Sequence, residues 1–478
     1  MKKFEIIIIV AILVLTFSLR LYKISSPVAD WHSWRQADTA AVARNFAKGD
    51  FNIFYPQSDS LTALNEFGLQ NPNRYFINEF PLYNAVVAFF YKLFGINLVL
   101  ARLVSITAAT LGLLFLYLLA RKLFGSKVAV LASIIYAVNP FNIYYGRVIM
   151  PDPMFICFSV ATMYFTVEWV EYKKLWFCLA TATTFAFALL IKPYSIFLLI
   201  PIFYWLAINW QLKAIKNVQT YIFIICSLVP LGLWRLHVAA HPEGTFATGW
   251  LFNAGNIRFT GSFFRWLIFE RLNRLIFATG GFALFVIGIL KSYTTKNGSL
   301  IFVWLLSVVL YMTIFAKGNV NHDYYQLPIM PSGAILVSLG FFAVTNSSQK
   351  YYVKLINIFV AVSLLVISFA FGWFEVRGFY NINRPEIVTA GERADILLPK
   401  DAVIIAPYND DPSFLYQTNR YGFTKIDKPL GVYLNEGIKY VVSVDLSDPP
   451  IQKLMTACKI IEKTDKYAII EMSPDCTQ

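Results

Sequence analysis

Ten consecutive residues, DWHSWRQADT (30–39), bring Asp30 and Asp38 together with Trp31, His32, Trp34 and Arg35. A carboxylate in such company can take the proton of an attacking hydroxyl. Three further stretches carry complementary chemistry. YYGRVIMPDPMF sets Arg147 five residues before Asp152, FALLIKPYSIF holds Lys192 at the end of an apolar run, and KGNVNHDYYQLPIMP carries His322, Asp323, Tyr324 and Tyr325. Lysine and arginine bind phosphate through charge-assisted hydrogen bonds, and histidine and tyrosine add neutral donors. Arg235 and His237 close another apolar run. A base carboxylate plus a group of cations suits a displacement in which an anionic group departs.

Each of these residues also has a structural reading. Asp38 suits an N-cap and Asp30 a turn. Asp152, between Pro151 and Pro153, can compensate a helix dipole. Arg147 can anchor to headgroups, Lys192 can snorkel, and Tyr324 and Tyr325 can form part of an aromatic belt.

The elements that must hold these groups are membrane spans. Of 478 residues, 57% are hydrophobic and 14% charged, a composition foreign to soluble domains. Apolar runs near the length needed to cross a bilayer occupy 4–22, 98–120, 127–143, 151–171, 175–192, 194–210, 219–237, 274–291, 299–316, 327–346 and 353–374, eleven expected spans. The first is longer than a signal-peptide core and lacks a small-x-small cleavage site, so it reads as retained. The net charge of +13 falls mostly in short connections, and no basic stripe points to nucleic acid. Lys2/Lys3, Arg121/Lys122/Lys127, Lys173/Lys174, Lys213/Lys216, Lys291/Lys296 and Lys350/Lys354 occupy every second connection, which places those connections in the cytoplasm. PLYNAVVAFFYKLFG (81–95) is too short to cross and reads as an interfacial helix.

The expected architecture is thus an α-helical polytopic membrane domain, 1–374, whose first outer loop spans 23–97, followed by a small extracytoplasmic α/β domain, 375–478. DTAAVARNFAKG fits a short amphipathic helix ending at Gly49. In the tail, helices are expected around 385–396 and 411–418, and strands at 402–407, 440–444 and 467–472. Cys157, Cys178 and Cys226 lie in apolar runs. Cys458 and Cys476 share the tail, where pairing and separate structural roles are both open. No glycine-rich phosphate loop, Cys/His ligand spacing or long repeat is visible, which counts against a nucleotide-driven pump. No cofactor is expected, and a divalent metal, though chemically possible at such carboxylates, is not indicated by any ligand spacing.

Taken in order, the acidic first loop, FPLYNAVVAFFYKLFG, ARLVSITAATLGLLFLYLLARKLFG, GRVIMPD, LLIKPY and HDYYQLPIMP resemble the GT-C superfamily. The pattern is similar to the protein O-mannosyltransferases and the lipid A aminoarabinose transferases, the dolichyl-phosphate-mannose-type or Rgt-like branch, over about residues 1–345. The resemblance implies inverting transfer of a hexosyl or pentosyl group from a polyprenyl-phosphate carrier to an acceptor hydroxyl on a glycan, lipid or protein. It places the reaction at the outer face of the plasma (inner) membrane. It further implies Asp38 as base with Asp30 next, Asp152 in support, and Arg147, Lys192, His322 and Tyr325 on the carrier phosphate, with Tyr324 and Arg235 nearby. Glu79, where the lipid A transferases have a lysine, would contact the donor sugar or the acceptor, or equally cap the interfacial helix. The chain departs from the family's Asp-Glu pair, reading Arg35-Gln36-Ala37-Asp38. A transporter or flippase of lipid-linked sugars is the competing reading, but transporters commonly show internal repeats and mid-membrane polar groups, whereas here the ionisable groups sit mainly at the outer ends of spans, which favours the enzyme.

Overall fold

The computed structural model describes residues 3–63 and 65–476. It is mainly helical, with one five-stranded sheet near the C-terminus. Two compact units emerge. The first comprises Met1–Ile24, Leu103–Leu236 and Thr248–Gly378; the second comprises Ser25–Arg102, His237–Ala247 and Phe379–Gln478. The units therefore do not follow a linear boundary at 374/375, because stretch 25–102 clusters with the tail. Inside the second unit, the Ser60 and Gly422 backbones form a bridge, and the Thr62 and Thr424 hydroxyls lie 2.9 Å apart.

Among the described residues, six helices are long and apolar enough to cross a membrane: Leu98–Phe124, Asp152–Tyr172, Pro193–Trp210, Val218–Ala239, Lys296–Ile314 and Tyr351–Leu397. The pair Gly261–Ile276 and Gly280–Ser292, bent by 115°, makes a seventh if counted as one span. The chain is an integral membrane protein. Against the eleven expected spans, Ser126–Val138, Leu175–Ile191 and Ile329–Thr345 form shorter apolar helices. The expected span 127–143 is interrupted at Asn139, whose side chain accepts from the Asn142 N–H and caps the helix Pro140–Tyr145. The expected span 274–291 is broken where Ala278 and Thr279 take positive φ.

Close packing in the first unit depends on missing side chains. A Cβ on Gly288 would lie 1.8 Å from the Leu336 carbonyl oxygen, and one on Gly340 would lie 1.9 Å from that of Leu284. Helices Gly280–Ser292 and Ile329–Thr345 thus approach backbone to backbone, as small residues allow in membranes.

In the second unit, strands β1 (Val403–Ile405), β2 (Tyr421–Phe423), β3 (Tyr440–Ser443), β4 (Lys459–Lys463) and β5 (Ala468–Glu471) form a sheet of order β2-β1-β3-β5-β4. β1 runs parallel to β2 and β3, while β5 is antiparallel to β3 and β4. Side chains alternate between faces. Ile404, Val442 and Ile469 enter one core with Phe414 and Leu415, whereas Ile405, Val441 and Ile470 enter the other with Tyr433 and Leu454. The expected tail elements are present as helices Pro385–Leu397 and Pro412–Gln417 and as β1, β3 and β5; β2 and β4 are additional. Cys458 and Cys476 form a disulfide.

Two helices of the second unit come from stretch 25–102. Ser33–Lys48 ends at Gly49 as expected but starts five residues earlier than Asp38. His32, in the left-handed region, occupies the N-cap position, so Asp38 lies in the second turn and caps nothing. Leu82–Phe94 buries Tyr83, Val87 and Tyr91 at four-residue spacing and exposes Phe89, Leu93 and Phe94, an amphipathic helix.

Candidate active site

In the first unit, two consecutive helices fold back on each other and bring their distant ends together. Pro151 and Pro153 fix the start of Asp152–Tyr172 at Asp152, since proline suits the first helical turn. Leu175–Ile191 returns and stops at Lys192, because Pro193 follows. Lys192 Nζ and Asp152 Oδ2 lie 3.7 Å apart, with side chains 4% and 1% exposed. The acid stands at a helix N-terminus and the base at a C-terminus, each matching the local dipole. Lys192 therefore does not snorkel to solvent within this unit. Beside the pair is a small apolar cleft lined by Phe155, Tyr194, Phe197, Trp304, Tyr311 and Pro331.

Arg147 is also fully buried; its guanidinium donates to the Lys23 carbonyl and packs on the Tyr144 ring. This is a fixed internal position rather than a headgroup anchor. Tyr144 leads to Tyr145, whose hydroxyl donates to the Asp323 carboxylate. Asp323 in turn pairs with Arg271 at 3.7 Å. His322 stacks on Tyr324 and Tyr325, and Tyr325 packs against Tyr194 with centroids 5.8 Å apart. Arg147, Asp152, Lys192, His322, Tyr324 and Tyr325 are thus all held in this unit's polar and aromatic network. Arg235 is exposed on Val218–Ala239 and makes none of these contacts.

Sequence reasoning missed Arg271. Its side chain is 20% exposed, pairs with Asp323 and lies over the Trp266 ring at 4.2 Å. The stretch WLIFERLNRLI is a π-helix, a form often associated with function, and its two arginines, Arg271 and Arg274, between apolar residues were the available signal.

In the second unit, the opening motif surrounds a cavity of about 230 Å³. Asp30, Trp31, His32 and Trp34 line it together with Arg384, Tyr408 and Asp411. Asp30 Oδ1 accepts a 2.6 Å hydrogen bond from Gln36 Nε2, and Gln36 also donates to the Trp31 carbonyl, so the helix sets the direction of the carboxylate. Trp31 stacks on Phe379 yet remains 41% exposed. Asp411 caps Pro412–Gln417 by accepting from the Ser413 N–H, and burial pushes its carboxyl above the usual range.

Asp38 does not line that cavity. It is 2% exposed, and its Oδ2 has no hydrogen-bond partner among the described residues. Burial pushes its carboxyl up to about 8; Arg35 opposes the shift, and the charges of Asp411 and Asp59 add to it. Around it, Arg35 pairs with Glu79, and Arg44 pairs with Asp59 while donating to the Tyr416 carbonyl. Glu79 is thereby committed to an ion pair in this unit.

Comparison with known proteins agrees with this architecture. The family described as dolichyl-phosphate-mannose-protein mannosyltransferase matches residues 78–234. No curated protein is similar by sequence. ArnT from Cupriavidus metallidurans bound to undecaprenyl phosphate superposes with a TM-score of 0.69 at 12% identity, covering 100% of both chains. The oligosaccharyltransferase AglB from Archaeoglobus fulgidus, in complex with an inhibitory peptide and a dolichol-phosphate, gives 0.57 at 10% identity, covering 99% of this chain and 75% of its own. The chain has the fold of the GT-C glycosyltransferases and resembles ArnT and the protein mannosyltransferases.

Proposed function

We propose that the chain is an inverting glycosyltransferase, moving a sugar from a polyprenyl-phosphate carrier to an acceptor hydroxyl at the outer face of the membrane. The observation that carries this reading is the buried Lys192–Asp152 pair beside an apolar cleft. An isoprenoid phosphate needs a cation for its head with apolar surface next to it, and the small cleft supplies that surface. ArnT and AglB, which share the fold, are described with undecaprenyl phosphate and dolichol-phosphate respectively. The Cys458–Cys476 disulfide supports an oxidising, extracytoplasmic setting for the second unit, and an inner-membrane location fits that setting.

The acceptor oxygen attacks the anomeric carbon from the face opposite the phosphate, and its proton passes to a carboxylate. The C–O bond to the carrier breaks, and the electron pair leaves on the lipid phosphate, whose charge Lys192 and Arg147 stabilise. Asp152 orients Lys192. His322, Tyr324 and Tyr325 are neutral donors for the same phosphate. The sequence favours Asp38 as base, but a sealed carboxyl with a pKa near 8 is mostly protonated at neutral pH. We assign the base to Asp30, which is directed by Gln36 and lines a cavity.

The test is transfer from an undecaprenyl-phosphate-linked sugar by the purified protein in nanodiscs, with membrane extracts as acceptor. Release of undecaprenyl phosphate coupled to acceptor labelling is expected. Carrier binding with transbilayer movement of the intact donor, and no cleavage, would instead establish the flippase reading.

A further inference from the structure

The cavity in the second unit has walls of a particular kind. Trp31 and Trp34 from the start of the first-loop helix, and Tyr408 after β1, supply aromatic surface; Asp30, Asp411 and Arg384 supply polar groups. One face of Trp31 rests on Phe379, with ring planes 15° apart, so the indole is held rigid while 41% exposed. Arg384 pairs with Glu386 and lies 5.9 Å from the Tyr408 ring centroid. Its charge is thus already partnered, and the two carboxylates leave the cavity acidic.

We propose that this cavity binds an uncharged sugar ring of the acceptor, making the acceptor a glycan. The inference rests on the transfer reading above and names its second substrate. Sugars present C–H faces that pack on aromatic rings and hydroxyls that donate to carboxylates. Both features line this one cavity of about 230 Å³. An anionic acceptor group, such as a phosphate, meets the like charges of Asp30 and Asp411, against the single guanidinium of Arg384, for which Glu386 competes. A purely apolar acceptor would strip water from the carboxylates of Asp30 and Asp411 and offer them no hydrogen bond in exchange, which is costly. A sugar hydroxyl donates to a carboxylate, and at Asp30 that hydrogen bond carries the proton that the reaction requires the base to take.

The test is binding of maltotriose, mannotriose, cellotriose and chitotriose to the full-length protein in nanodiscs without donor, read by tryptophan fluorescence and by calorimetry. Saturable binding of at least one is expected, weakened tenfold or more by Trp34→Ala and by Tyr408→Ala. Trp34→Phe and Tyr408→Phe, which keep the aromatic faces and the fold, should retain most of it. Undecaprenyl-phosphate binding should be unchanged in all four variants. The proposal is overturned if none of the four sugars binds to wild-type protein that still binds undecaprenyl phosphate. It is also overturned if trigalacturonate or a serine/threonine-rich peptide binds in their place, or if the alanine variants bind sugar like wild type. Sugar binding with this variant pattern, in a protein that fails to bind or cleave the lipid-linked donor, would support the sugar site and remove the transfer reading alone.

Discussion

Lys192 Nζ stands 3.7 Å from Asp152 Oδ2, two opposite charges buried together at the meeting ends of successive helices. Removing one member of such a pair leaves the other charged and buried, at about 3–5 kcal/mol. Lys192→Met and Asp152→Asn should each lower the thermal midpoint of the detergent-solubilised protein. The double variant should recover much of that loss while remaining inactive in sugar transfer. A double variant as unstable as the sum of the singles would show that the two do not act as a pair.

Asp38 gives the second unit a pH-dependent stability. Its folded-state pKa of about 8 lies above the ordinary 3.8, so between those values the native state holds a proton that the unfolded chain has released. Stability therefore falls as pH rises from about 4 to about 8 and is level above that. Asp38→Asn, which cannot ionise, should flatten the dependence of the thermal midpoint on pH across pH 5–8 and raise the midpoint at pH 8, a gain in stability on the order of a few kcal/mol. An unchanged slope in this variant would remove Asp38 as its source.

Arg44 joins the Ser33–Lys48 helix to Asp59, to the Tyr416 carbonyl and to the Tyr416 ring, 4.2 Å away. Arg44→Ala should loosen the second unit, seen as faster proteolysis or hydrogen exchange in β1 and β2, with loss of about 3–5 kcal/mol. Binding of undecaprenyl phosphate, assigned to first-unit residues, should persist.

Gly288 and Gly340 have no room for a methyl group, since each Cβ would meet a backbone oxygen below 2 Å. Gly288→Ala should cost several kcal/mol, at or above the usual range of about 1–3 kcal/mol for overpacking, and reduce the folded fraction on size-exclusion chromatography. Ala substitution at Gly232, where the same Cβ meets nothing within 4 Å, serves as the control and should have little effect.

The membrane character, the amphipathic loop helix and most of the tail were legible because each depends on local periodicity and turn chemistry. The Asp152–Lys192 pair was legible only as two separate charges, since their meeting depends on a helix hairpin forty residues long. Asp38 illustrates what remained hidden. Its carboxylate looks available in sequence, yet its burial and raised pKa come partly from Asp59 and Asp411, partners that only the fold brings near. β2 and β4 were missed because a three-residue strand containing Gly422, and an edge strand whose side chains are mostly exposed, carry little hydrophobic pattern. Arg271 lay in a stretch assigned to a loop, where it shares WLIFERLNRLI with Glu270 and Arg274 and nothing in the sequence marks it out from them.

The central claim is that a carboxylate in the DWHSWRQADT motif deprotonates the acceptor and that it is Asp30. The most direct measurement is the single-turnover rate of sugar transfer from an undecaprenyl-phosphate-linked donor, compared between Asp30→Asn and Asp38→Asn in nanodiscs. Asparagine at 30 can still accept the Gln36 hydrogen bond, so folding and carrier binding should be kept while the rate falls by about 10²- to 10⁴-fold. Asp38→Asn should transfer at close to the wild-type rate. Full activity in Asp30→Asn together with loss of activity in a folded Asp38→Asn protein would contradict the account.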